Sequence, residues 1–242
     1  MFFDQKPEIP VMDGIDMVLQ PFANREKKLL ISDMDSTMIS QECIDELADV
    51  VGLKEHVAAI TERAMNGELD FKSALRERVM LLKGLKTADL ERVMNKRITL
   101  MPGAQTLVRT MKARGAYTVL VSGGFTFFTS RVANAIGFDV DVGNRLEMQN
   151  DSLTGTVKEP ILDKDTKREL LRHYCAAKDL PLEDALAVGD GANDLPMLLA
   201  AGTGIAYHAK PSVQAEAKAR INHNDLSALL FVQGIPRREW QE

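Results

Sequence analysis

The hydrophobic positions of this chain change rhythm several times, and each change marks a segment. Residues 1 to about 28 keep no sustained period. Pro7, Pro10, Gly14 and Pro21 punctuate them and Asn24 to Lys28 is polar, which predicts a tail and linker, with Val11 to Leu19 open to a short strand or helix. Leu29-Leu30-Ile31 is a short apolar run with a β-branched end, the pattern of a buried strand. Helical spacing follows: Ile44, Leu47, Ala48 and Val51 before a stop at Gly52, then Val57, Ile60 and Ala64 up to Gly67. Asp70 is a good N-cap for a third helix with the stripe Phe71, Ala74, Leu75, Val79 and Leu82, and Thr87 caps a fourth with Leu90, Val93 and Met94 inward.

From Pro102 helix and strand alternate. A helical face of Ala104, Leu107, Val108 and Met111 closes at Gly115, and Tyr117 to Val121 is a strand ending at Ser122-Gly123-Gly124. Phe125 to Ile136 reads as helix and Phe138 to Val142 as strand. Arg145 to Gln149 and Leu153 to Val157 flank Asn150-Asp151, the signature of a small hairpin. A helix over Lys164 to Ala177, a strand over Ala185 to Gly189, a short helix through Leu199, a strand over Thr203 to Tyr207 and a last helix near Asp225 to Val232 complete the pattern.

Such alternation predicts an α/β fold: a parallel sheet with helices on both faces and ligands beyond the carboxyl ends of the strands. The predicted division is a tail over 1–28, a core over 29–40 and 98–242, and a helical cap over 41–97, inserted after the first strand and suited to covering a strand-end site.

Composition narrows the partners. The 242 residues are 45% hydrophobic and 27% charged, with a formal net charge of -5, an ordinary globular balance that favours neither nucleic acid nor an anionic membrane. Cys43 and Cys175 have no ligand-like spacing, and His56, His173, His208 and His223 make no metal pair, so a disulfide framework or zinc site is not indicated. No stretch resembles a membrane span or signal peptide, and a cytoplasmic location is the expectation.

Chemistry concentrates at predicted strand ends. Asp33 and Asp35, one residue apart, leave the first strand pointing the same way. Two such charges resist joint ionisation unless a cation sits between them, and they can divide nucleophilic and proton-transfer roles; an Asx-rich turn is the alternative. Ser122 with two glycines offers a hydroxyl and amides to an anion, or is only a turn. Lys167 can neutralise a phosphate or be a solvated helix residue. Asp190, Asn193 and Asp194 follow a later strand on a glycine-containing loop; carboxylates without Cys or His suit a hard cation such as magnesium. Arg78 shares the apolar face of its helix with Phe71 and Leu75, so it either snorkels, pairs with a structural carboxylate, or clamps a ligand carboxylate.

These four pieces, Asp33-Met-Asp-Ser-Thr37, Ser122-Gly-Gly, Lys167 and Gly189-Asp-Gly-Ala-Asn-Asp194, together resemble the motifs of the haloacid dehalogenase (HAD) superfamily of phosphohydrolases. Glu42-Cys-Ile-Asp-Glu-Leu-Ala48, Thr61-Glu-Arg-Ala-Met-Asn-Gly67, Ser73-Ala-Leu-Arg-Glu-Arg-Val79 and Val121-Ser-Gly-Gly-Phe125 are similar to the phosphoserine phosphatase family within it, and the likeness runs from about Leu29 to Gln233. The resemblance implies a HAD-like Rossmannoid core and a small-molecule substrate, phosphoserine, cleaved through an aspartyl-phosphate. It implies Asp33 as nucleophile and Asp35 as acid and base. Mg2+ would be held by Asp33, the Asp35 carbonyl and Asp190, with Asp194 in support. Ser122, Gly123 and Lys167 would grip the phosphoryl group, with Asn193 beside them. Glu42 would receive the substrate ammonium and Arg78 its carboxylate, between Met65 and Phe71. A monomer or homodimer is expected. About twenty-eight residues before the core are too few for the regulatory-type domain of several relatives.

Three rival readings share parts of this pattern. A phosphotransferase passing the phosphoryl group to another hydroxyl amino acid such as homoserine, or a phosphatase of another small phosphomonoester, keeps the same site. A phospho-accepting signalling domain also uses aspartates, a metal and a lysine, but needs neither Asp35 nor a cap with Glu42 and Arg78. A non-catalytic sensor is disfavoured by the intact aspartate pair, and P-loop chemistry by the lack of its motif.

Overall fold

The computed structural model describes residues 12–65 and 68–242, together with the course of the helix that ends at Met65, whose side chain lies outside the description. Its seven strands are β1 (Leu29–Ser32), β2 (Tyr117–Phe125), β3 (Val140–Gln149), β4 (Ser152–Lys158), β5 (Ala185–Gly189), β6 (Thr203–Tyr207) and β7 (Ala219–Ile221). They form one sheet in the order β4-β3-β2-β1-β5-β6-β7. All neighbours are parallel except β3 and β4. The first strand in sequence is therefore central, and its four residues are fully buried. Helices cover both faces, as uninterrupted apolar strands such as β5 and β6 require. Leu30, Leu120, Leu186 and Val188 pack into one apolar cluster, while Leu29, Ile31, Val119 and Ala187 pack into the other.

Between β1 and the helix α5 (Ala104–Ala113) lies the helical cap: α1 (Cys43–Val50), α2 (Lys54–Met65), α3 (Phe71–Leu81) and α4 (Thr87–Lys96). Asp70 caps α3 as its sequence predicts, accepting from the amides of Lys72 at 2.9 Å and Ser73 at 3.1 Å. Ala74, Leu75 and Val79 are the buried stripe of that helix. The remaining helices are α6 (Thr126–Ile136), α7 (Lys164–Ala177), α8 (Leu195–Ala200), α9 (Pro211–Glu216) and α10 (Ala228–Val232).

Four local expectations change. Residues 12–19 form neither strand nor helix, and Val11 lies outside the described residues. The segment is instead pinned by Asp16, whose carboxylate accepts from the amides of Asn222, His223 and Asn224. The predicted strand at Phe138 and the first arm of the hairpin are one continuous strand, β3, which pairs with β2 up to Asn144 and with β4 from Arg145. The hairpin turn is as read: Asn150 and Asp151 both take positive φ, 49° and 60°, the combination a type I′ turn requires. α9 and β7 escape the periodicity reading because they are only six and three residues long.

The fourth change bears on function. β2 does not stop at Val121. Val121 pairs with Val142 and Phe125 with Asn144, so Ser122, Gly123 and Gly124 together oppose Gly143 alone. This is a bulge of three residues against one, a device that turns residues out of a ladder without ending the strand. The hairpin in turn meets the cap: Leu153 donates its N–H to Leu85 O at 2.8 Å and accepts from Gly84 N at 2.9 Å.

Candidate active site

Asp33 follows β1 directly, and its amide donates to Val188 O of β5 at 3.0 Å, so the turn out of the sheet starts at a fixed point. Its Oδ1 accepts from the Met34 amide at 2.8 Å and faces Lys167 Nζ at 2.9 Å. Lys167 also donates to Asp194 Oδ1 at 2.7 Å. This lysine is 1% exposed and forms a buried stripe with Leu171 and Cys175, at spacings of four, on the inner face of α7. A cation near a helix N-terminus opposes the helix dipole and loses water on burial, so the two carboxylates must hold it there. Burial alone would lower the lysine, but Asp194 and Asp33 outweigh that and keep its pKa above the ordinary value.

The loop after β5 brings the other acids. Asp190 Oδ1 accepts from Thr37 Oγ1 at 3.0 Å, and Asp194 Oδ2 from the Gly191 amide at 3.0 Å. Gly189 is needed where it stands, since a Cβ there would lie 2.5 Å from Asp194 Cγ. Asn193 Oδ1 folds against Gly191 in the same loop. Carboxylate oxygens of Asp33, Asp190 and Asp194 all lie within 4.8 Å of one another.

One ammonium cannot neutralise this set. Burial, then Asp194, pushes Asp33 well above the usual carboxylate range, and the same two causes raise Asp190 to about 6. The donor set is all oxygen and anionic, so it fits a hard divalent cation, which would return these groups to carboxylates at neutral pH. Added divalent cation is therefore expected to raise the melting temperature, by the equivalent of about 2.7 kcal/mol at a hundredfold excess over Kd. Thermal unfolding with and without chelator checks this, and no shift would mean that the acids hold no metal.

Asp35 is 9% exposed. Its Oδ1 accepts from the Cys43 amide at the start of α1 (3.0 Å) and its Oδ2 from Ser122 Oγ (3.1 Å). Burial raises its pKa, and those hydrogen bonds only partly offset the rise, a state suited to a group that both gives and takes a proton. Gly124 must lack a side chain because a Cβ would lie 2.7 Å from Asp35 Oδ2.

The cap contributes from above. A Cβ on Gly123 would lie 3.4 Å from Phe71 Cζ, so the Phe71 ring roofs the Ser-Gly-Gly bulge. Glu42 accepts from Ser36 Oγ at 2.7 Å; Ser36 adopts φ 55°, a left-handed conformation that turns the chain toward the cap. Glu42 opens to solvent at the cleft mouth, yet enough protein surrounds its carboxylate to push it up to about 7, with Asp35 adding to the rise. Arg78 is half-buried and makes only weak neutral contacts, to Ala74 O at 3.3 Å and Thr61 Oγ1 at 3.4 Å. Burial lowers it, while Asp45 and Glu42 counteract. It has no carboxylate in salt-bridge contact among the described residues, unlike the surface arginines Arg97 and Arg114.

Of the residues singled out from sequence, Asp33, Asp35, Ser122, Gly123, Lys167, Asp190, Asn193 and Asp194 converge at the carboxyl ends of β1, β2 and β5, with Phe71 above them. Glu42 and Arg78 lie on the cap side, and Met65 falls outside the described side chains. Three participants were not singled out. Thr37 and Ser36 stand inside the first motif, where their hydroxyls were a visible signal. Asn144, described below, carried none.

The chain matches the family model for haloacid dehalogenase-like hydrolases over residues 30–199. A protein of Polaromonas sp. named phosphoserine phosphatase is 48% identical over 208 residues, covering 84% of this chain and 88% of its own. One of Archaeoglobus fulgidus with the same name is 44% identical over 225 residues, covering 92% of this chain and 65% of its own length, just under two thirds. Among solved structures, a phospho-aspartyl intermediate analogue of phosphoserine phosphatase superposes with a TM-score of 0.78 at 40% identity, over 85% of this chain and 98% of that one. No described helix is long and apolar enough to cross a membrane. With the motif-bearing strand ends, the cap and these matches in agreement, the chain belongs to the haloacid dehalogenase-like hydrolase family.

Proposed function

We propose that this protein is a magnesium-dependent phosphoserine phosphatase, acting in the cytoplasm on a small free substrate, with residues 41–97 as the specificity cap. One observation supports the substrate: on the cap side the Glu42 carboxylate lies close enough to feel Asp35 of the acid-lined site, and Arg78, an arginine without a salt-bridge partner among the described residues, lies close enough to feel Glu42. A phosphorylated amino acid offers the matching ammonium and carboxylate on one carbon, and a sugar phosphate offers neither. The names of the relatives point the same way.

Asp33, the Asp35 carbonyl, Asp190 and Asp194 would hold Mg2+, which supplies charge neutralisation for the phosphate dianion and the acids around it. An Asp33 carboxylate oxygen attacks phosphorus, and the bond from phosphorus to the serine oxygen breaks. Asp35, protonated, gives its proton to that leaving oxygen. Water then attacks the aspartyl-phosphate, Asp35 takes its proton, and the bond to Asp33 breaks, releasing inorganic phosphate. The Gly123 amide and Lys167 steady the phosphoryl oxygens throughout, Ser122 Oγ turns its proton from Asp35 to them as the substrate seats, and Asn193 lies beside them. Dividing one displacement into two lowers each barrier, and closure of the cap under Phe71 excludes bulk water.

The test is phosphate release from a panel of phosphomonoesters with magnesium, with homoserine added in a parallel series. Phosphoserine should lead the panel, and homoserine should not divert the phosphoryl group. A sugar or nucleotide phosphate in the lead would remove the substrate assignment. Glu42 adds a pH signature. It must be ionised to receive an ammonium, and its pKa is about 7, so kcat/KM for phosphoserine should climb as pH rises through that value. Glu42→Gln should lose this limb along with most of the affinity; a limb that survives the substitution belongs to another group.

A further inference from the structure

The bulge that carries Ser122, Gly123 and Gly124 leaves backbone groups without ladder partners, and one buried side chain replaces them. Asn144 is 2% exposed. Its Nδ2 donates to Gly123 O at 2.8 Å, and its Oδ1 accepts from the Leu162 amide at 2.8 Å. One partner is purely an acceptor and the other purely a donor, so the carboxamide has only one orientation that satisfies both. Gly143 before it is closely packed, since a Cβ would lie 3.1 Å from Thr129 Cγ2 and 3.2 Å from Gly124 O. β3 therefore backs directly onto the bulge.

The Gly123 carbonyl belongs to the same peptide plane as the Gly124 amide. That amide donates to Ser122 Oγ at 2.8 Å. Ser122 then has its one proton to give, and gives it to Asp35 Oδ2 at 3.1 Å. A continuous series of donors thus runs from the Leu162 amide through Asn144, the Gly123–Gly124 peptide and Ser122 to Asp35. Resting on the reading of Ser122, Gly123 and Asp35 given above, we infer that Asn144 is a positioning residue: by fixing the tilt of the Gly123–Gly124 peptide it sets both the phosphoryl-binding bulge and the direction of the Ser122 hydroxyl toward the acid–base aspartate. It touches neither substrate nor reacting atoms.

Two substitutions separate this from a packing role. Asn144→Asp keeps the shape and the acceptor for Leu162 but loses the donor to Gly123; Asn144→Leu loses the donor without adding charge. Hydrolysis of phosphoserine and of p-nitrophenyl phosphate should fall in kcat by about 10- to 100-fold in both variants, the scale of a misplaced reacting group. KM for phosphoserine should rise by a smaller factor than kcat falls, because the cap clamp is untouched. Wild-type kcat in folded Asn144→Leu, a loss confined to the charged variant, or failure of both variants to fold would each overturn the inference. A wild type inactive on phosphoserine but active on the aryl ester, with both variants impaired on that ester, would remove the substrate reading and leave the role of Asn144 standing.

Discussion

Asp33→Asn is expected to abolish phosphate release, by about 10⁴-fold or more in kcat, while the protein melts at the same temperature as wild type or higher. The first half follows from chemistry, because a carboxamide is not a nucleophile toward phosphorus and no phospho-enzyme can form. The second half follows from the electrostatics of the buried site. Burial and the neighbouring Asp194 and Asp190 raise Asp33 well above the usual range, despite Lys167 at 2.9 Å. A carboxyl whose folded pKa is raised loses stability for the protein as pH rises past its unfolded value, so at neutral pH the charged group is a liability that the amide lacks. Asn at position 33 keeps an oxygen to accept from the Met34 amide and Lys167. Measuring melting temperature without added metal beside phosphate release separates the two effects. A variant that is both dead and strongly destabilised would mean that the Asp33–Lys167 pair holds the fold together, contrary to the charge balance argued here.

Arg78→Ala should cost phosphoserine about 10²- to 10³-fold in kcat/KM. Truncating one partner of a desolvated charge pair typically loses about 2–5 kcal/mol, and each 1.36 kcal/mol is tenfold. A generic aryl phosphate, which has no carboxylate to place, should keep its rate within a few-fold. The contrast between substrates is the decisive quantity, since Arg78 makes only weak neutral bonds within the protein. Equal losses on both substrates would assign Arg78 to holding the cap in shape.

The sequence carried most of the site because its chemistry is local to strand ends. Asp33, Ser122 and Asp190 are marked by an apolar run that stops abruptly, and their convergence follows once β1, β2 and β5 are neighbours. Arg78 was legible for a different reason: a cation on a helix stripe otherwise made of Ala74, Leu75 and Val79 demands a partner. Lys167 was harder, since the same residue type at the same helical position is commonly solvated, and its place on the buried face beside Leu171 and Cys175 emerged only with the structure. The β2 bulge was not legible. Tyr117 to Val121 satisfies a strand pattern, and the two glycines read as its end, whereas the pairing of Phe125 with Asn144 depends on a strand that arrives nearly twenty residues later. Asn144 shares that fate: its partners Gly123 and Leu162 lie 21 and 18 residues away, and no periodicity reports such contacts. The parallel sheet was read correctly, and so was the antiparallel addition of β4, which follows from the tight Asn150–Asp151 turn.

The bonds between the cap and Leu153 also bear on how the molecule behaves at high concentration. β4 is the outermost strand on its side of the sheet, and an outer strand displays a row of N–H and C=O groups that another chain can pair with. Here the Leu153 amide and carbonyl are already taken by Leu85 and Gly84, and Arg76 reaches Glu159 just past the strand's other end. At the opposite border β7 offers only three residues. The chain between two of the cap helices thus occupies the start of β4, and with β7 so short both borders offer a reduced template for intermolecular β-pairing.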